Sequence, residues 1–177
     1  SGEDDEGRGY VYLCSERDPS ERFSEIEFLP RRNVVQVCGD DVHIDNLTIR
    51  YGGAHGVGSG TAKGLSVTNC VIEYIGGSVQ YYTEGRPVRF GNGVEIWGGC
   101  EDYTVDHCII REIYDAGVTH QYKGGTDECF MRRIRYTDNV ITNCTYAVEY
   151  FLGAPENDAA TRYMEDVLIK GNFLGYS

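Results

Sequence analysis

Short apolar and polar runs alternate along this chain with a period of two, and the same run recurs. Five segments share it: "VHIDNLTI" (42–49), "LSVTNCVI" (65–72), "YTVDHCII" (103–110), "IRYTDNVI" (134–141) and "VLIKGNFL" (167–174). Each opens with alternating residues, passes through a small polar pair and ends in a short apolar strand. The starts at 42, 65, 103, 134 and 167 are 23, 38, 31 and 33 residues apart. A shortest repeat of this length with variable additions predicts the stacked coils of a parallel β-helix, one repeat to a coil.

Period two puts the first and third residues of each opening strand on one face. The predicted core is therefore Val42 and Ile44, Leu65 and Val67, Tyr103 and Val105, Ile134 and Tyr136, and Val167 and Ile169. Asn46, Asn69, His107 and Asp138 then stack at the turn, where Asn and Asp tolerate left-handed backbone and hydrogen-bond locally. His107 reads as a turn residue rather than a ligand. Cys70 and Cys108 take equivalent inward places and read as small buried apolar residues.

A second strand aligns in the same repeats: "HGVGS" (55–59), "NGVEIW" (92–97), "AGVTHQ" (116–121) and "YAVEYF" (146–151). Val57, Val94, Val118 and Val148 face inward. Gly58, Glu95, Thr119 and Glu149 follow them and form an outward row. Additions at 75–91, 122–133 and 153–163 flank this face and predict the walls of a groove.

Composition agrees with an all-β chain rich in turns: 23 Gly and 14 Tyr stand against 4 Pro and 2 Met. A net charge of −12 argues against nucleic acid as a partner, since phosphate binding needs clustered Lys and Arg. The run "RRIR" (132–135) reads as a solvated loop. No stretch nears the roughly 18 apolar residues of a membrane span. Seven cysteines leave at least one unpaired within the chain, and no spacing among them resembles a zinc site.

The order "YGGAHG", "GNGVEIW", "IYDAGVTHQ" within stacked repeats resembles the pectate-lyase-like superfamily of bacterial carbohydrate metabolism, as does the lead-in "GYVYLCSERDPSERFSEIEFLP". The resemblance implies a right-handed, single-stranded solenoid of about five coils over residues 9–177. The chain stops in mid-coil at "GNFLGYS", so the helix is expected to be incomplete there. Residues 1–8 read as a disordered lead-in or a cloning remnant. The resemblance further implies a polysaccharide or oligosaccharide substrate and a place outside the cytoplasm.

Chemistry is expected on the outward row. Glu95 and Glu149 lie two strands apart, roughly 10 Å, and side-chain lean can bring their carboxyls into the window of an inverting glycosidase. Asp115, at the corner entering this face, completes a candidate cluster whose like charges raise at least one pKa. Strict alternation points His120 inward; a twist of the strand end would make it a further catalytic candidate. His55, Tyr81, Tyr82, Arg86, Arg89, Trp97, Thr119 and Gln121 are the candidate substrate contacts: flat aromatics for sugar rings, arginines for a carboxylate. The expected activity is glycoside hydrolysis without a cofactor. A calcium-assisted polysaccharide lyase and a non-catalytic glycan-binding helix are the alternatives.

Overall fold

The computed structural model describes residues 13–125, 127–156 and 160–176, with the backbone of 2–3 and 9–10. From the expected lead-in, β1 (Gly2–Glu3) pairs antiparallel with β2 (Gly9–Tyr10), and residues 1 and 4–8 lie outside the described residues. One helical turn follows, α1 (Pro19–Arg22), capped where Asp18 accepts from the Ser20 N–H at 2.9 Å.

Strands then succeed one another: β3 (Val35–Gln36), β4 (His43–Asp45), β5 (Thr48–Gly52), β6 (Val57–Ser59), β7 (Ala62–Lys63), β8 (Ser66–Thr68) and β9 (Val71–Ile75). A hairpin is made by β10 (Ser78–Thr83) and β11 (Arg86–Phe90). The remainder are β12 (Val94–Trp97), β13 (Cys100–Asp106), β14 (Ile109–Tyr122), β15 (Cys129–Thr137), β16 (Val140–Leu152), β17 (Arg162–Lys170) and β18 (Phe173–Gly175). Outside β1–β2 and the hairpin, the strand pairings are parallel. One sheet runs β4, β8, β13, β15, β17; the other runs β3, β6, β12, β14, β16, β18, with β5 and β9 joined to it through β14. The protein is all-β, built on parallel sheets.

Register lines equivalent residues into rows. Ile44, Val67, Val105, Tyr136 and Ile169 form one row. Ile49, Ile72, Ile110, Ile141 and Leu174 form a second. Val35, Val57, Val94, Val118 and Val148 form a third. The central members of all three are buried in one core, each worth about 1.5–3 kcal/mol of burial. The end members of the first two rows are open: Ile169 is 40% and Leu174 48% exposed.

Tight corners explain how such short strands succeed one another. Asn46, Asn69, His107, Asp138 and Gly171 hold φ of 50 to 72°, so the expected turn ladder is present and His107 belongs to it. Each of the first four donates its N–H to the next strand at 3.0–3.1 Å, which offsets the roughly 1–2 kcal/mol cost of left-handed backbone. Two further sets share the conformation: Asp41, Gly64, Asp102, Arg133, Asp166 and Tyr51, Tyr74, Glu112, Asn143, Tyr176. Just past the first corner Cys70 and Cys108 are buried, and the seven thiols are free. The next row replaces cysteine with Asn139, whose Oδ1 accepts the Cys108 N–H at 2.9 Å. Asn172 repeats that bond to the Asn139 N–H.

Candidate active site

Strands β6, β12, β14 and β16 carry the outward row. Glu95 lies in register with Gly58 on one side and Thr119 on the other, and Thr119 with Glu149. Glu95 and Glu149 are thus two strands apart, about 10 Å between backbones. Glu95 is only 6% exposed, so it has left bulk water for fixed partners. Its Oε2 stands 2.8 Å from His55 Nδ1 and accepts a hydrogen bond from Asn92 Nδ2. Asn92 is itself oriented: its Oδ1 accepts the Ala116 N–H at 2.8 Å, and its own N–H donates to His55 Nδ1 at 3.0 Å. The His55 ring meets Phe90 edge-on at 5.1 Å.

Asp115 arrives by a different device. The register between β14 and β16 shifts between Ile113 and Ala116, and such a bulge re-aims the side chain that it carries. Its N–H donates to Gly91 O at 3.1 Å. Gly91 has φ +138°, and a Cβ there would collide with the backbone of Gly76, so only glycine closes the base of the hairpin. Burial raises the Asp115 carboxyl above its usual range, the charge of Glu95 adds to this and His55 offsets part of it. Burial likewise raises Glu149, with the charges of Asp115 and Glu95 adding to it. The three carboxyl groups therefore feel one another.

They face a groove. A pocket of about 210 Å³ is lined by His55, Asn92, Glu95, Trp97, Asp115 and Gln121 from the sheet, and by Gln80, Val88, Arg89 and Phe90 from the hairpin. Through His55, Glu95 and Trp97 it joins a second space of about 210 Å³ beside Asn33, Gln36 and Gly58. A wider region of about 590 Å³ follows, bounded by Arg31, Arg32, Gln80 and Phe90. The loops after β14 and β16 flank the same strands and are tied together by Arg162. Its guanidinium donates to the carbonyls of Gly124, Gly125, Asp127, Gly153 and Ala154 and lies 4.8 Å over the Tyr122 ring.

Of the residues singled out from sequence, Glu95, Asp115, His55, Trp97, Arg89 and Gln121 come together in one pocket. Trp97 is 43% exposed and takes ring edges from Tyr122 and Phe151. Arg89 also donates to Gly77 O. Thr119 holds its place in the row but is fully buried, its hydroxyl without a partner among the described residues. Tyr81, Tyr82 and Arg86 stand exposed on the hairpin, outside the pocket lining. His120 lies inside, where alternation sends it. Its Nδ1 is 2.7 Å from the Tyr136 hydroxyl, its ring stacks on Tyr150 at 5.5 Å, and desolvation lowers its pKa to about 4. It is a fully buried core residue and is not among the residues that line the groove. Sequence reasoning missed Asn92; its flanking glycines in "GNG" were the available signal.

Other clusters do not compete with this site. A cavity of about 340 Å³ on the opposite sheet is lined by Cys100, Glu101 and Cys129 among others. Burial pushes the Cys100 thiol up to about 12, and Glu101 is locked to Arg132 and Arg133. Asp106, His107 and Asp138 bring ligand atoms within 4.8 Å of one another, but on the edge of that same opposite sheet, at its turn ladder. No family model, curated protein or solved structure matches the chain. Among the described residues, no helix is long and apolar enough to cross a membrane.

Proposed function

We propose that the chain is a right-handed parallel β-helix of about five coils, of the pectate-lyase-like kind. We further propose that it is a glycoside hydrolase acting on a polysaccharide or oligosaccharide outside the cytoplasm. The parallel pairings and the three stacked left-handed corners support the helix. One observation carries the activity: Glu95 and Asp115 line a single pocket, with Glu149 two strands from Glu95 in its row. One carboxylic acid protonates the departing glycosidic oxygen while a carboxylate activates water. Glu95 and Asp115 take these two parts, and Glu149, two strands from Glu95 in the row, is the third carboxyl beside them. Trp97 offers an exposed ring for a sugar face, and Gln121 and Arg89 offer hydrogen bonds. No metal enters this scheme.

A calcium-assisted lyase is the second reading, favoured by Arg31, Arg32 and Arg89 along the groove, since a uronate carboxylate must be neutralised before its α-proton leaves. A panel of neutral and acidic glycans separates the two. Hydrolysis yields new reducing ends alone and persists in EDTA, whereas elimination also yields an unsaturated, ultraviolet-absorbing sugar.

A further inference from the structure

The outward row does not begin at Glu95. Gln36 is in register with Gly58, and Gly58 with Glu95, so the row holds an amide, a gap and then the first carboxyl. The gap is filled from outside the strand, because a Cβ at Gly58 would collide with the Asn33 carboxamide. Asn33 is held at both ends: its Oδ1 accepts the His55 N–H at 3.1 Å, and its Nδ2 donates to Gln36 Oε1 at 2.7 Å. Gln36 Nε2 in turn donates to Val37 O at 3.2 Å and Gly58 O at 3.1 Å. A carboxamide has two N–H donors and two lone pairs on its oxygen. Among the described residues, one N–H and one lone pair of Asn33 and one lone pair of Gln36 are therefore unused. Both amides line the space of about 210 Å³ that also takes in Gly60, Glu95 and Trp97.

Resting on the hydrolase reading, we propose that this space is a subsite for one neutral sugar unit beside the scissile bond, with Asn33 and Gln36 reading its hydroxyls and Trp97 taking its ring face. A sugar hydroxyl both donates and accepts, so it matches the unused N–H and lone pairs. The two amides are fixed before the sugar arrives, which lowers the cost of ordering them. Trp97, 43% exposed, supplies the apolar surface. An acidic sugar is rejected here. Its carboxylate would stand beside Glu95, a charge already felt at Asp115 and Glu149, and His55 faces Glu95 at 2.8 Å. Among the described residues no guanidinium lines the space. Arg31 and Arg32 border the wider region beyond it, and Arg31 donates to Val79 O and Gln80 O at 3.3 and 3.2 Å.

The chain has one tryptophan, so the fluorescence and the indole N–H resonance of Trp97 report on this space directly. Neutral hexasaccharides of glucose, xylose, mannose and galactose, and oligogalacturonate, are titrated into Asp115→Asn, which slows cleavage and keeps Glu95. At least one neutral hexasaccharide is expected to move the Trp97 signal to saturation, with oligogalacturonate binding more weakly. In that background Gly58→Ala, which displaces the Asn33 amide, and Asn33→Ala each raise Kd about tenfold. The two substitutions together raise it no further, because both act through one amide. Gln36→Ala, at an exposed position, gives the same reading should Gly58→Ala not fold. A Trp97 signal that answers to oligogalacturonate alone or to no sugar, or a Kd unchanged in Asn33→Ala and Gln36→Ala, overturns the subsite. Binding with the expected losses but no cleavage by the unaltered chain ends the hydrolase reading and leaves the subsite standing. Cleavage at an unchanged KM in Asn33→Ala and Gln36→Ala does the reverse.

Discussion

Asp115 is held half-buried next to other acids, which costs stability at neutral pH. Its carboxyl is raised from 3.8, so the folded state prefers the protonated form and loses stability as pH climbs above 3.8. Asp115→Asn removes that penalty. The variant is expected to unfold at an equal or higher Tm at neutral pH while kcat on a cleaved glycan falls about 10²–10⁴-fold; a lower Tm would mean that Asp115 is structural. His120 acts in the opposite sense. Its folded value of about 4 lies below the 6.5 of the unfolded chain, so unfolding takes up a proton and stability falls as pH drops from 6.5 to 4. The loss is on the order of 3 kcal/mol. It should be absent from His120→Leu when denaturant midpoints of the two proteins are compared across that range. Alternation alone located Glu95 and sent His120 inward. The partners of Glu95 were illegible, because His55 and Asn92 lie 40 and 3 residues from it and meet only once β6 and β12 pair.

Corners and loops decide how the strands sit. The turn ladder was readable because Asn and Asp recur at one place in the repeat. His107, with φ +50°, occupies the same place. His107→Gly should hold or raise stability, whereas His107→Val should cost more than 1 kcal/mol, since branched residues resist this conformation; thermal unfolding of the pair checks it. The additions at 75–91 were legible only as a loop. They fold as the β10–β11 hairpin around Glu84 and Gly85, both with positive φ, the pairing that a two-residue turn requires. Arg162 was illegible, since five carbonyls from two loops, one of them more than 30 residues away, define its role. Arg162→Ala should free both loops, seen as faster amide exchange at 123–125 and 153–156, with a loss of about 1–3 kcal/mol. Unchanged exchange would mean that the loops hold themselves.

Across the whole molecule, the repeat made the row Gly58, Glu95, Thr119, Glu149 readable, and the structure adds the hairpin and the paired loops that border it. Acidic groups at the groove and a net charge of −12 disfavour an anionic polymer except along Arg31, Arg32 and Arg89. The central claim is that this groove hydrolyses glycosidic bonds with Glu95 and Asp115. It is tested most directly by incubating the protein and its Glu95→Gln/Asp115→Asn double variant with a glycan panel, and following reducing ends and ultraviolet absorbance together. The account predicts new reducing ends without an unsaturated product, in EDTA as well as without it, and none from the double variant. An unsaturated product, cleavage that survives in the double variant, or binding without cleavage across the panel would contradict it.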